Sequence, residues 1–210
     1  MPLTHFTDRH AVQLLATQSR RTDLSPVQLA RSHVDLGRLL AYELVELLPL
    51  EPCEIQHPQG VRTGARLAGE SDVVILSFLR AGLYVTEGVR ELLQLAAVCH
   101  VSPTRQNGLD EADISSLPLL AGRVVVIVDS VINTGATLLP VLEQVRAQMP
   151  AMIVVLSLVT PVETAKRLEQ SCPDVHFLLA RVSTNQYTGR GATDTGNRLF
   201  GTLPRRKGAP

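Results

Sequence analysis

Between Arg123 and Val145 the chain reads RVVVIVDSVINTGATLLPVLEQV: branched apolar residues, one acid, a Thr-Gly-Ala-Thr turn, then apolar residues at helical spacing. These residue types suit the binding of a phosphate group. Asp129 follows a strand-like run, and in open parallel sheets ligands bind beyond the carboxyl ends of the strands. A helix amino terminus offers unpaired N–H groups and the positive end of its dipole, so a short loop ending in Thr, Gly and Thr suits a phosphate. Gly135 permits close backbone approach, and Thr134 and Thr137 add hydroxyl donors. Taken alone, the pentapeptide favours a simpler reading, in which Thr134 caps the helix. No GxxxxGK[ST] loop is present, and the Gly-x-Gly at 189–191 follows no strand-to-helix turn of dinucleotide-binding type.

Two more segments bear chemistry. In FLRAGLYVTEGV (78–89), Arg80 stands between an apolar run and a helix start, where a guanidinium beside backbone N–H groups makes a diphosphate clamp. A surface arginine without a role is an equal reading of that residue. Near the end, QYTGRGATDTGNRLFGT (186–202) is a Gly-rich stretch holding Asp194. The six histidines are scattered and complete no Ser-His-Asp or Cys-His array. His33, His100 and His176 fall within apolar segments, which suits core imidazoles.

The elements that must position these groups follow from periodicity. After an irregular opening, Ser25 and Pro26 mark a helix start, and Leu29, His33, Leu40, Leu44 and Leu48 keep to one helical face until Pro49. Residues 50–70 are rich in Pro, Gly and polar groups and read as a hairpin or irregular connection. From residue 72 the pattern alternates strand and helix: strands over 72–78, 96–102, 123–129, 151–160 and 174–182, helices over 83–95, 136–149 and after Pro161. Continuous apolar strands alternating with helices predict an α/β fold, a mostly parallel sheet flanked by helices. Residues 103–118 hold few large apolar residues and read as a long loop, of a length usual for lids. The expected organisation is a single domain: an amino-terminal helix and connection (1–70), the sheet core (71–182), a carboxy-terminal hood segment (183–202) and a loose tail (203–210).

Composition narrows the function classes. Of 210 residues, 45% are hydrophobic and 19% charged, which describes a globule with buried strands rather than a disordered chain. Lys+Arg and Asp+Glu balance at 20 each and aromatics make up 3%, so neither a basic face nor a stacking platform for nucleic acid is expected. Cys53, Cys99 and Cys172 are odd in number and form no CxxC pair, which suits reduced thiols in a cytoplasmic protein. No signal peptide or membrane span is expected, and no membrane partner.

The run VVVIVDSVINTGATL resembles the phosphoribosyl-diphosphate loop of type I phosphoribosyltransferases, and FLRAGL resembles the ILRAGL segment of their uracil branch. Residues 186–202 resemble that branch's GYIIPGLGDAGDKIFGT without a gap, with Tyr187, Gly191, Asp194, Gly196, Phe200, Gly201 and Thr202 identical. The similarity spans about Arg20 to Thr202. It implies the type I fold with a small hood, and transfer of a 5-phosphoribosyl group from phosphoribosyl diphosphate to uracil with Mg2+ as cofactor. It also implies a homodimer or higher homo-oligomer. On this resemblance Arg80 and Asp194 are catalytic. Phosphoribosyl diphosphate is bound by Arg80, Arg105, Asp129, Ser130, Asn133, Thr134, Gly135, Ala136, Thr137 and Asp194. The base is read at Thr188, Thr193, Asp194 and Thr195, largely through the main chain, and Asp194 reaches the metal through water.

The departures from the uracil pattern are Ser130 for Pro, Asn133 for Ala and Ala136 for Gly in the loop, with Thr188, Arg190, Thr193 and Thr195 in the signature. They leave two alternatives beside uracil: a sister transferase for another base, and a non-catalytic nucleotide-sensing regulator on the same fold.

Overall fold

The computed structural model describes residues 3–185 and 189–202. Chain order is β1 (Leu3–His5), α1 (His10–Arg20), α2 (Pro26–Val45), β2 (Leu50–His57), β3 (Gly60–Leu67), β4 (Val73–Phe78), α3 (Gly82–Arg90), β5 (Ala97–Val101), α4 (Glu111–Ser116), β6 (Val124–Val131), α5 (Leu138–Arg146), β7 (Met152–Pro161), α6 (Val162–Ser171), β8 (Val175–Ser183) and α7 (Thr195–Phe200). Six strands form one sheet in the order β1-β8-β7-β6-β4-β5, every neighbouring pair parallel. The remaining two, β2 and β3, pair antiparallel as a separate hairpin turned at Gly60. The expected parallel α/β fold is therefore present.

Alternation along the strands explains why the sheet is covered on both faces. On one side Val74, Leu76, Val125, Ile127, Val155, Phe177 and Leu179 join a core with α5 and α6. On the other, Val73, Ile75, Val126, Val128, Val154, Leu156 and Leu178 pack with α2 and α3. All of β4 is buried, so its VVILSF run needs no polar face.

Helix α2 starts where Ser25 and Pro26 mark it. Ser25 Oγ accepts from the Gln28 N–H (3.3 Å) while Gln28 Oε1 accepts from the Ser25 N–H (3.0 Å), a reciprocal cap worth about 1 kcal/mol. Its buried stripe includes Leu29, His33, Leu36, Leu40 and Leu44. Glycine sets how closely α3 lies on it. A Cβ on Gly88 would stand 2.1 Å from the Val34 carbonyl oxygen, and one on Gly37 would stand 2.2 Å from that of Val85.

Several expectations are corrected. The opening is not irregular: β1 extends the sheet beside β8, and α1 packs on α2. Residues 103–118 are not one long loop but a tight turn followed by α4, capped by Asp110 at the Asp113 N–H (2.8 Å). Strand β6 continues past Asp129 to Val131, which pairs with Val159. Of the three histidines read as core, only His33 is buried; His176 is half-buried and His100 exposed. The three cysteines are free, Cys172 buried and the others part-exposed. No helix among the described residues is long and apolar enough to cross a membrane.

The glycine contacts give a test with an unusual sign. In an exposed helix Gly to Ala gains up to about 1 kcal/mol. Gly88→Ala should instead destabilise by about 2–3 kcal/mol, since its methyl group meets α2 backbone rather than a yielding side chain. The expected loss of about 5–10 °C in Tm is read from thermal unfolding by circular dichroism, and an unchanged or higher Tm would refute the packing argument.

Candidate active site

From β4 the chain crosses to β5 on one side and returns through β6 on the other. The strand order therefore reverses between β4 and β6, the place where open parallel sheets bind ligands beyond their carboxyl ends. Arg80 follows β4 and Asp129 lies near the end of β6, so the two strongest candidates flank that crevice. Gly82 makes the approach close. A Cβ there would lie 2.6 Å from the Val128 carbonyl oxygen, so the first residue of α3 rests against β6 beside Asp129.

Asp129 is partly buried, and its Oδ1 accepts a long bond from the Val131 N–H (3.4 Å). Burial raises its carboxyl to about 7, only partly opposed by the N–H groups of Val131 and Ser130. Ser130, next to it, is buried, and its carbonyl accepts from Ser157 Oγ (3.4 Å).

The loop after β6 is held from below. Thr164 Oγ1 donates to the Asn133 carbonyl (2.7 Å), and Arg167 Nη2 donates to that of Thr134 (2.5 Å). Thr134 Oγ1 accepts from the Ala136 N–H (3.3 Å), closing a small turn, and Gly135 takes φ +74°, where a side chain is disfavoured. Thr134 is therefore not the helix cap that the pentapeptide alone suggests. The cap position belongs to Thr137, whose side chain makes no capping bond. The Leu139 N–H donates to the Gly135 carbonyl (2.9 Å), so the turn runs directly into the start of α5, the positive end of the helix dipole.

Arg80 reaches across to the carboxy-terminal segment. Its Nη2 donates to Asn197 Oδ1 (2.8 Å) and its Nη1 to Thr202 Oγ1 (3.1 Å), with Asp194 Oδ1 at 4.0 Å. Asp194 caps α7 by accepting from the Asn197 N–H (2.7 Å). Phe200 stacks on Tyr84 of α3 with ring centroids 5.4 Å apart, and Leu199 packs with Leu29 and Ala30 of α2. A Cβ at Gly196 would lie 3.4 Å from Nε and Nη2 of Arg80. One arginine thus ties the loop after β4 to the segment that carries Asp194.

A cavity of about 330 Å³ opens from the ends of β6, β7 and β8 towards α1 and α7. Ser130, Val131, Thr193 and Thr195 line it, so the expected base-reading segment faces the same space as the strand end. Thr188 and Tyr187 lie outside the described residues. Arg105 is exposed at the tip of the Thr104–Gly108 turn and is not hydrogen-bonded to the other candidates among the described residues. That turn is clasped by Gln144 of α5, whose Nε2 donates to the Asn107 and Leu109 carbonyls while its Oε1 accepts from the Leu109 N–H.

Sequence reading assigned no role to Thr202, named only as a matching signature residue, or to Asn197, which with it positions Arg80, nor to Arg20, Arg181 and Arg198, which line the cavity. For Arg181 a signal was present: it is the one charged residue inside LLARV, the end of an otherwise apolar strand.

The sequence signature of uracil phosphoribosyltransferases matches residues 6–202. A uracil phosphoribosyltransferase of Staphylococcus epidermidis is 31% identical over 209 residues, covering 96% of this chain and all of the relative. One from Staphylococcus carnosus is 28% identical over the same coverage. Among solved structures, the AQ2163 protein of Aquifex aeolicus superposes with a TM-score of 0.80 at 26% identity, covering 95% of this chain and 99% of its own. The match over nearly all of the described sheet and crevice places this chain in the uracil phosphoribosyltransferase family.

Proposed function

We propose that the chain transfers the 5-phosphoribosyl group of phosphoribosyl diphosphate to uracil, giving UMP and diphosphate. One observation supports the reading: where the sheet order reverses, an arginine follows β4, a carboxylate stands near the end of β6, and a threonine-glycine turn leads from β6 into a helix start. Asp129 accepts hydrogen bonds from the ribose hydroxyls. Ser130 and the Asn133–Thr137 loop, including Thr134, Gly135 and Ala136, hold the 5-phosphate. Arg80 donates to the leaving diphosphate, with Arg105 as a second contact. Thr193, Asp194 and Thr195 read the base through their main chain.

The chemistry asks little covalent work of the protein. As diphosphate leaves, the sugar carbon becomes cation-like, and the rate depends on fixed donors for the leaving charge and on alignment of the base. Arg80 is pre-set for this by Asn197 and Thr202, and its guanidinium keeps further N–H donors for phosphate oxygens. Among the described residues no group of three or more His, Cys, Asp or Glu side chains is placed to hold a metal. Asp129 and Asp194 instead offer single carboxylates, a set that suits Mg2+ carried on the diphosphate, which commonly takes one or two carboxylates besides phosphate oxygens. When bound, the ion would neutralise charge on the leaving group.

The direct test is a panel of nucleobases with phosphoribosyl diphosphate, with and without magnesium. UMP formation that ceases on chelation is expected; consumption of other bases without UMP would overturn the uracil assignment. In the same assay Asp129→Asn and Arg80→Ala should each lower kcat/KM for phosphoribosyl diphosphate by about 100-fold, and an unaltered value would remove that residue from the site.

Asp129 adds a prediction about stability. The unfolded carboxyl titrates near 3.8, whereas burial raises the folded one to about 7. Between these values the folded state holds a proton that the unfolded chain releases, so stability falls as pH rises through that window and stays lower above it. Asp129→Asn should leave stability at pH 4 unchanged and raise it at pH 8 by on the order of 2–4 kcal/mol. Equal urea midpoints for variant and parent at pH 8 would contradict the burial argument.

A further inference from the structure

Three guanidinium groups converge on the cavity beside the crevice: Arg20 from α1, Arg181 from β8 and Arg198 from α7. Among the described residues no aspartate or glutamate lines it. Arg20 donates through Nε to the Ala16 carbonyl (3.1 Å), and Arg198 through Nη2 to the Arg21 carbonyl (2.5 Å). Neither bond cancels a charge. Arg181, on the strand position paired with Val159, is about half-buried, and burial together with the charge of Arg20 lowers its pKa from the usual value. No acid among the described residues acts on it in the opposite direction. His33 on the cavity wall adds no positive charge of its own, since burial pushes its imidazole down to about 4 while its ring nitrogen meets the Leu29 carbonyl at 3.0 Å.

Arg181, half-buried and facing the same space as the exposed Arg20 with no acid among the described residues lining it, carries a desolvation cost that an anion in that space would relieve. Thr193 and Thr195 line the same cavity, so the anion and the heterocycle would occupy it together. At about 330 Å³ it lies at the lower end of pockets that enclose whole drug-sized ligands, which leaves room for a ring with a substituent. We propose that the cavity takes a pyrimidine bearing a carboxylate, its acid group held by Arg181 and Arg20, and that the chain transfers phosphoribosyl to such a base as a second activity. This rests on the reading of the cavity as the base site. A guanidinium matches a carboxylate through two parallel N–H donors, which a neutral ring substituent cannot use. The transfer balances as it does for uracil. A ring nitrogen bonds to the sugar carbon as the bond to diphosphate breaks, diphosphate leaves with that electron pair, the ring N–H proton goes to solvent and the carboxylate is unchanged.

The test compares uracil, uracil-5-carboxylate and uracil-6-carboxylate with the two methyluracils as neutral controls, measuring diphosphate release with the full chain and binding by calorimetry. At least one carboxylate should bind about 10-fold or more tighter than its methyl counterpart and be turned over. Arg181→Met should lower the ratio of kcat/KM for that carboxylate over uracil by about 10- to 100-fold. The ratio is insensitive to partial loss of folded protein, and Arg20→Met supplies a second reading if Arg181→Met does not fold. An unchanged ratio in both variants, or inorganic phosphate competing as well as the carboxylates do, would overturn the proposal. Turnover of uracil with neither carboxylate bound overturns it alone; no transfer to any base overturns the underlying assignment with it.

Discussion

Helix α3 lies where a single methyl group would not let it. Its first residue, Gly82, touches the main chain of β6, and Gly88 two turns later touches the main chain of α2. Main-chain atoms on both sides mean that neither neighbour yields by rotating a side chain. The loop that carries Arg80 is therefore fixed at the start of a helix clamped between sheet and α2. Asp129 is fixed by the strand against which that helix rests. Sheet, helix and crevice share one constraint, and the chemistry inherits its precision from backbone contact rather than from flexible side chains.

The carboxy-terminal segment adds a second layer. Leu199 and Phe200 are seated on α2 and α3, Asp194 caps the short helix between them, and Arg80 is bonded to Asn197 and Thr202. Residues more than a hundred positions apart thus hold each other in register. Asp129 shows the opposite economy: a carboxylate kept in a partly buried position against its own solvation, the usual mark of a group retained for what it binds.

Much of this was legible in the chain. The central strands announce themselves because both faces are covered and long runs of them are apolar, and α2 because Ser25 and Pro26 mark its start. Asp129 was visible as an acid at the end of an apolar strand, whereas Arg80 and the threonine-glycine loop, each open to a plainer reading alone, became candidates through the family resemblance. What stayed hidden had no local signature. Helix α1 follows Arg9, which makes no capping bond, and lacks an acid in its first turn. Strand β1 has three residues, defined only by main-chain pairing with β8. Helix α4 is too short to show a period. The arginines of the cavity come from α1, β8 and α7, and only the folded sheet brings them to one space.

The turn bearing Arg105 deserves to be seen as a fixture of α5. Gly108 has φ +66°, and a Cβ there would lie 2.4 Å from Gln144 Oε1 and 3.1 Å from Pro140 Cβ, while Gln144 itself holds both carbonyls and an N–H of the turn. Positions 108, 140 and 144 are consequently one packing unit: a side chain at 108 would meet both Pro140 and Gln144. The reach of this arginine is thereby set by the helix whose amino end follows the threonine-glycine loop.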